Sequence, residues 1–359
     1  MPRMTSHTCQ ICNNPNHNRL ITAREMMFGT GDVFEYLECS ACGCLQLLDV
    51  PQDLSRFYPD NYYAFGDVTT AVDGPLASAI KKSRTNLLLR LPVGVVDALV
   101  RAKRIPAPFM WLAGLGLTTS SLVCDLGSGS GETLVWMLQQ GFSHLSGFDP
   151  YVHETRDIDG QIAVRKLGVD DMPGGWDLIM LNHSFEHMPE PALVLQHLRN
   201  RLNPQGSIII RVPVADSWAW RTYGADWVQL DAPRHLFIHT QRSMRIVALS
   251  AGLTITRVFF DSNALQIWGS EQYKKNIPLR DPLSYAENPQ TAVFTTSEIR
   301  DFERCAAKLN RARLGDSIGF VLRAFDASTH LGSPAAHAEG AAQLPSSSGP
   351  VNWHSTNER

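Results

Sequence analysis

Short apolar runs alternate with amphipathic stretches along most of the second half of the chain. The runs that predict strands are SLVCDL (121–126), HLSGFD (144–149), WDLIMLN (176–182), SIIIRVP (207–213), TITRVFFD (254–261) and SIGFVLRAFD (317–326). Between them, apolar residues recur at helical spacing over 131–141, 191–202 and 244–252. Alternating strands and helices favour βαβ units and a parallel sheet with both faces covered. The pattern therefore predicts an α/β domain with a Rossmann-like sheet over residues 119–326.

The regions that flank this domain follow other patterns. Residues 66–118 carry apolar and basic residues at helical spacing, which predicts a connector of two or three helices broken near Pro92 and Pro106. Residues 327–359 are rich in Ala, Ser, Gly and Pro and poor in large apolar side chains, so we expect a disordered tail. Residues 1–65 contain two pairs of cysteines and form a third module.

Composition narrows the class of protein. Hydrophobic residues make up 44% of the 359 residues and charged residues 19%, as in ordinary globular proteins. A net charge of -3 argues against binding to nucleic acid or anionic lipid. The longest uncharged run, 105–124, contains prolines and hydroxyl residues and does not predict a membrane span. Without a secretory signal, a cytoplasmic location is expected, whereas the oligomeric state is left open.

The cysteine pairs predict a metal site. Cys9 and Cys12 are separated from Cys39 and Cys42 by 26 residues, and two such pairs can surround Zn²⁺ with four thiolates. No ligand position is left for a substrate, so the zinc is interpreted as structural, in place of a core that a short module cannot build. A redox role for these cysteines is the alternative.

A glycine turn follows the first predicted strand of the large domain. Gly127, Gly129 and Gly131 lie two residues apart behind Asp125, a spacing different from the G-x-G-x-x-G of dinucleotide sites. Asp125 suits a ligand with an ammonium group, and Asp149, at the end of the next strand, suits the hydroxyls of a ribose. The two acids predict S-adenosylmethionine as the ligand. A domain that binds NAD, or no nucleotide, is the alternative.

Four segments in this order, VCDLGSGSG, GFDP, GVDDMPGGWDLIMLNHSFEHMPEP and LNPQGSIIIRVP, resemble the core of class I S-adenosylmethionine-dependent methyltransferases, with their seven-stranded sheet. The resemblance covers roughly residues 120–260. It implies that the glycine turn lies under the methionine part and that Asp149 holds the ribose. It further implies that Asp170 or Asp171 contacts the adenine and that Asn182 and His183 line the methyl-donor pocket.

The whole arrangement resembles bacterial zinc-ribbon methyltransferases, including sugar C-methyltransferases. This implies a small acceptor, such as a nucleotide-linked sugar or a glycan precursor of polysaccharide synthesis. His235 matches the proposed base of that group. His235 and His183 are therefore the predicted catalytic residues. In this chain Arg234 stands where the group has a glutamate next to the histidine. O-methylation is therefore as consistent with the sequence as C-methylation. Arg234 is a candidate to bind a phosphate or carboxylate of the substrate. A structural role for the His235 loop is the alternative.

Other expectations concern neighbouring residues and other functions. Four aromatic residues are candidates for stacking on a sugar or a base, with ordinary packing as the alternative for part of them: Trp218, Trp220, Tyr223 and Trp227. Glu186 and His187 are as consistent with fixing a loop as with touching substrate. Two further functions stay open: an RNA or protein methyltransferase that docks its substrate on the zinc ribbon, and a non-catalytic zinc-ribbon scaffold.

Overall fold

The computed structural model describes residues 7–59, 74–152, 154–158, 160–290 and 293–325. The predicted tail at 327–359 and the start of the predicted connector, residues 66–73, lie outside the described residues. The described residues up to Ala324 form one compact unit. Within the described residues, none of the helices combines the length and the apolarity that crossing a membrane requires.

Twelve strands and nine helices are present in the described part of the chain. The strands are β1 (Arg19–Arg24), β2 (Val33–Glu38), β3 (Leu45–Leu47), β4 (Leu122–Leu126), β5 (His144–Phe148), β6 (Arg156–Ile158), β7 (Ile162–Arg165), β8 (Trp176–Asn182), β9 (Leu202–Pro213), β10 (Phe237–Ile238), β11 (Leu253–Phe260) and β12 (Ser317–Ala324). The helices are α1 (Pro75–Arg90), α2 (Val93–Arg101), α3 (Phe109–Leu112), α4 (Glu132–Gln139), α5 (Pro191–Arg199), α6 (Trp218–Tyr223), α7 (Gln241–Ser250), α8 (Leu265–Lys274) and α9 (Thr296–Arg311).

The larger sheet confirms the predicted α/β fold. Its strand order is β11-β12-β9-β8-β4-β5-β7-β6. The strands from β7 to β9 pair in parallel, and β12 is antiparallel to both of its neighbours. Seven of these strands form the predicted sheet, and β6 adds a short antiparallel edge beyond β7. Strand β8 and residues 206–213 of β9 are mostly buried, because both faces of the sheet pack into hydrophobic clusters.

A smaller sheet joins the N-terminal module to the large domain. Its order is β1-β2-β3-β10, so its last strand comes from the segment that follows His235. Phe237 pairs with Gln46 and Ile238 with Leu45. Buried side chains of the module share one hydrophobic cluster with α6 and the segment after it. The N-terminal module therefore packs directly against the loop that carries a predicted catalytic residue.

The connector has helices α1, α2 and α3, with ends close to Pro92 and Pro106, where breaks were expected. Other elements differ from the sequence-based prediction. The segment NPQG (203–206), which precedes the predicted strand at 207–213, already belongs to β9, where the pairing with β8 shifts register. Helix α9 was not predicted, although its capping box of Thr295 and Glu298 marks its start.

Candidate functional site

The glycine turn lies at the carboxyl end of β4, where an open α/β sheet binds its ligands. Gly127 has φ +74° and its N–H donates to the carbonyl of Phe148 (2.7 Å). A Cβ on Gly127 would lie 2.4 Å from the Cβ of Ser184, so only glycine fits this turn. Gly131, with φ +86°, begins α4 as its N-cap residue. The turn therefore places backbone groups, with no side chains at the glycines to cover them, at the N-terminal end of α4.

The predicted ribose acid and the glycine turn come together. Asp149 is buried, and its Oδ2 accepts a hydrogen bond from the N–H of Gly129 (2.9 Å). Its Oδ1 accepts from the N–H of Tyr151 (2.8 Å). A carboxylate offers about four lone-pair sites, so two remain for a ligand's hydroxyl groups.

An unpartnered hydroxyl in the same turn fits a ligand. The Ser128 Oγ is buried and has no hydrogen-bond partner among the described residues. Buried polar atoms almost always have a partner. The turn that contains Gly127 and Gly129 therefore offers a buried donor to a polar ligand, as the S-adenosylmethionine prediction requires.

Asp125 is held by Asn182, the last residue of β8. Its side chain is buried, and its Oδ1 accepts a hydrogen bond from the amide of Asn182 (3.2 Å). The amide oxygen of Asn182 in turn accepts from Arg211 (3.3 Å). Burial raises the pKa of Asp125 to about 7, although the Asn182 hydrogen bond and the Arg211 charge oppose this rise. A nearby cation would stabilise the charged carboxylate, as an ammonium-bearing ligand does.

The two predicted adenine residues lie on the surface. Asp170 and Asp171 are exposed in the loop after β7. The Asp170 carboxylate contacts Nδ1 of His197 on α5 (2.5 Å). No hydrogen bond or ion pair between described residues links either acid to the glycine turn. Contact with adenine therefore stays a prediction.

A buried carboxylate surrounded by histidines follows β8. Glu186 is fully buried, and neither of its oxygens has a hydrogen-bond partner among the described residues. Its Oε1 lies 3.5 Å from Nδ1 of His183 and 3.9 Å from Nε2 of His235. Burial alone raises the pKa of Glu186, but His183, His187 and His235 together hold it well below its ordinary value. His183 adopts φ +51°, a strained conformation for a non-glycine residue that is frequent at functional sites.

His235 is neutral near pH 7. Burial, and secondarily the proximity of His187, lower the pKa of His235 to about 4. Its Nδ1 lies 2.8 Å from the carbonyl of Gln229, and because a carbonyl only accepts, Nδ1 carries the proton. The Nε2 therefore has a free lone pair and lies between two carboxylates, Glu186 (3.9 Å) and Asp231 (3.8 Å).

The structure contradicts the expectation that Arg234 meets a substrate. Arg234 is 1% exposed, and its guanidinium donates to Asp231 (2.6 and 2.9 Å) and to Glu25 (2.8 Å). It also donates to the carbonyl of Phe57 (3.2 Å). The guanidinium is thus used inside the protein, where it ties the N-terminal module to the His235 loop.

The expected aromatic platform is also corrected. Trp227 is fully buried and donates to Asp316 (3.0 Å), and Trp220 donates to Glu38 (3.2 Å). The hydroxyl of Tyr223 donates to Glu271 (3.0 Å). These three side chains pack into the cluster shared with the N-terminal module, and Trp218 alone of the four is half-buried. They support the fold instead of presenting faces to a sugar.

The four predicted zinc ligands converge. Their sulfur atoms all lie within 4.8 Å of one another, with 3.7 Å between Cys9 and Cys42 and 3.5 Å between Cys12 and Cys39. Tetrahedral Zn–S bonds of about 2.3 Å place sulfur atoms about 3.8 Å apart, so the residues fit the ion. A left-handed residue follows each pair, and the Gly43 N–H donates to the carbonyl of Cys39 (2.8 Å).

Sequence reasoning gave Glu186 and His187 no definite role and missed Glu25. An acid–histidine pair directly after a parallel strand was the available signal for the first two, because strand ends line the ligand crevice. No local signal marks Glu25, since Arg234 lies 209 residues away along the chain.

Several known proteins resemble part of this chain. Residues 101–258 match the model of a family described as a methyltransferase domain. No curated protein matches the chain in sequence. One similar solved structure is an S-adenosylmethionine-dependent methyltransferase from Mesorhizobium loti, with 15% identity, a TM-score of 0.37, and coverage of 57% of this chain and 91% of that one. Another is 1,6-didemethyltoxoflavin-N1-methyltransferase from Burkholderia thailandensis with bound S-adenosylhomocysteine, with 15% identity, a TM-score of 0.37, and coverage of 73% of this chain and 95% of that one. A third is an S-adenosylmethionine-dependent methyltransferase from Archaeoglobus fulgidus (17%, 0.35, 65% and 95%). Residues 101–258, which include the glycine turn, are thus similar to a methyltransferase domain.

Proposed function

We propose that the chain methylates a small acceptor, of the nucleotide-sugar or glycan-precursor class, at the carboxyl edge of the large sheet. The proposal rests on a series of contacts that leads from the glycine turn to the histidines around Glu186. Asp149 binds the turn, Asp125 binds the end of β8, and the residues just after β8 reach the His235 loop. Cofactor residues and candidate bases thus lie at the same edge of the large sheet.

Each residue has a role in this proposal. S-adenosylmethionine supplies a methyl group on a sulfonium, which becomes the thioether of S-adenosylhomocysteine when the methyl group leaves. Asp125 would pair with its ammonium group and Asp149 with its ribose, which would align the methyl carbon with the acceptor. An acceptor oxygen forms the new bond to carbon, and its proton passes to the free Nε2 of His235. The carboxylates of Glu186 and Asp231 stabilise the resulting imidazolium.

The cysteine module has a supporting role. Cys9, Cys12, Cys39 and Cys42 bind one zinc ion, and the module positions the His235 loop. The hydroxyl of Tyr36 donates to the backbone carbonyl of His235 (2.8 Å), and Thr240 donates to the carbonyl of Cys42 (2.6 Å). The zinc is therefore structural, and it acts on catalysis through loop geometry.

Affinity for S-adenosylmethionine is expected to weaken as the pH falls below about 7. Asp125, whose pKa is raised to about 7, is charged above that pH and attracts the ammonium, and it is neutral below. Once the acid is mostly protonated, affinity should fall roughly tenfold per pH unit. Calorimetric titration between pH 5.5 and 8.5 measures this slope.

Two variants separate this effect from general pH sensitivity. Asp125→Asn should bind more weakly at pH 8 and lose the slope, whereas Glu303→Gln, on the exposed side of α9, should behave as wild type. Equal slopes in wild type and Asp125→Asn would contradict the role of Asp125. Binding of NAD in place of S-adenosylmethionine would remove the proposed function altogether.

Replacing His235 by Asn is expected to reduce methyl transfer about 100-fold and to leave cofactor affinity unchanged, because a general base acts on the reaction and not on donor binding. The measurement is transfer of labelled methyl groups to a panel of nucleotide-sugars. His144→Asn, at an exposed position on β5, is the matched control. Full activity of His235→Asn would show that this histidine takes no part in the reaction.

A further inference from the structure

The group formed by Glu186, His187 and His235 presents an electrostatic conflict. A fully buried carboxylate with two unpartnered oxygens is costly, because burial of a charge needs a compensating partner. The neighbouring nitrogen of His235 lies 3.9 Å from Oε1, beyond hydrogen-bond range. The described residues do not supply the carboxylate with a donor.

Both histidines are in the tautomer that binds metal ions. Nδ1 of His187 lies 2.8 Å from the carbonyl of Arg234, and Nδ1 of His235 lies 2.8 Å from the carbonyl of Gln229. A carbonyl accepts and never donates, so each Nδ1 carries the hydrogen and each Nε2 carries a lone pair. Metal-binding histidines are held in this way, with the second ring nitrogen donating to a carbonyl or carboxylate.

The distances leave room for one ion. One ligand atom from each of Glu186, His187 and His235 lies within 4.8 Å of the other two. Bonds of about 2.1 Å at tetrahedral angles place ligand atoms about 3.4 Å apart. The 3.9 Å between Nε2 of His235 and Oε1 of Glu186 exceeds this spacing by about 0.5 Å. Side-chain shifts of up to about 1.4 Å bring all three ligand atoms to this spacing.

A protonated histidine is the competing explanation of the buried charge. An imidazolium would donate to Glu186 at hydrogen-bond distance, yet the nearest nitrogens stand 3.5 Å (His183) and 3.9 Å (His235) away, and neither makes a hydrogen bond with it. The rings of His187 and His235 are 4.7 Å apart between centroids, so a proton on one disfavours a proton on the other. Three neutral or anionic ligands around one point are better matched by a divalent cation.

We propose that Glu186, His187 and His235 bind one divalent first-row transition-metal ion beside the methyl-donor pocket. Two imidazoles and one carboxylate on one side of an ion leave further coordination positions open. An acceptor hydroxyl that binds there has a lowered pKa and releases its proton to water. This inference rests on the proposed function and replaces its proton-transfer step: with the ion bound, Nε2 of His235 is a ligand and accepts no proton, and acceptors with a metal-binding oxygen are preferred.

Calorimetric titration of the zinc-loaded full chain with Co²⁺ tests the site. We expect one equivalent of Co²⁺ to bind, and its visible spectrum should lack the intense bands of cobalt thiolate, which shows that the cysteine site keeps its zinc. Glu186→Gln should weaken Co²⁺ binding by at least about 100-fold, since even groups that only orient ligands are worth 10–100-fold. His187→Gln should give the same loss, and Glu190→Gln, exposed and four residues away, should give none.

The outcomes for the metal and for the proposed function are separable. Retained binding of S-adenosylmethionine by Glu186→Gln and His187→Gln shows that both variants are folded. Absence of Co²⁺ binding in wild type, or equal binding in Glu186→Gln, overturns the metal site. Undiminished methyl transfer after chelation overturns it as well, while the proposed function stands. Co²⁺ binding by a chain that ignores S-adenosylmethionine supports the ion site and ends the proposed function.

Discussion

The free energy of unfolding is expected to fall by about 3–5 kcal/mol when Arg234 is replaced by Met, because two buried carboxylates lose their cation. Glu25 and Asp231 are both buried, and each lies within 2.8 Å of the guanidinium. Such a change lowers the folding equilibrium constant by more than 100-fold. Urea denaturation followed by tryptophan fluorescence measures it, and Arg242→Met, at an exposed position of α7, is the matched control.

A second substitution tests the cause of this loss. Asp231→Asn in the Arg234→Met background removes one of the two unpaired charges, so part of the stability should return. In wild type the same Asp231→Asn should destabilise, because it takes a partner from Arg234. If Arg234→Met matched the exposed control in stability, the ion pairs would contribute nothing to folding.

Removal of zinc is expected to lower the unfolding temperature by more than about 10 °C. Structural zinc contributes on the order of 10 kcal/mol to small modules, and here the cysteine sulfurs are part of a cluster that continues into the large domain. Because Tyr36 and Thr240 link the module to the His235 loop, methyl transfer should be lost before the core sheet unfolds. Calorimetry before and after chelation, with zinc quantified by atomic absorption, provides the measurement.

Cysteine variants identify the site. Cys42→Ser should purify with little zinc and melt like the chelated protein, whereas Cys305→Ser, in α9 and outside the cluster, should keep one zinc ion per chain. Rapid reaction of four thiols with a colorimetric reagent in the native protein, without any zinc release, would show that these cysteines carry no metal.

The strands of the large sheet were predictable because their signal is local. Each strand contains a run of β-branched and aliphatic residues, such as 208–210, that is bounded by polar or glycine residues, and burial in a parallel sheet makes this run apolar on both faces. The glycine turn was predictable for the same reason. Gly127 needs a left-handed backbone and has no space for a side chain, and both requirements are visible as glycine in the sequence.

The surroundings of His235 were not predictable, because they are built from distant segments. Arg234 follows an aromatic-rich stretch at the surface of the predicted domain, and only the fold brings Glu25 to it from the N-terminal module. Trp220 and Trp227 are residues typical of sugar-binding surfaces, but side chains of the N-terminal strands pack against them. Strand β10 has two residues, too few for a periodicity, and exists because β3 offers it a partner.

Strand β10, which carries the chain from the His235 loop into the small sheet, has an evolutionary consequence. A recombination event that exchanged the cysteine module of this protein for that of a distant relative would have to match the edge of β10 and the indole side chains packed in the same cluster. The module and the large domain are therefore constrained to be inherited and to diverge together, and an expression fragment that begins after the cysteines would expose an apolar face to solvent.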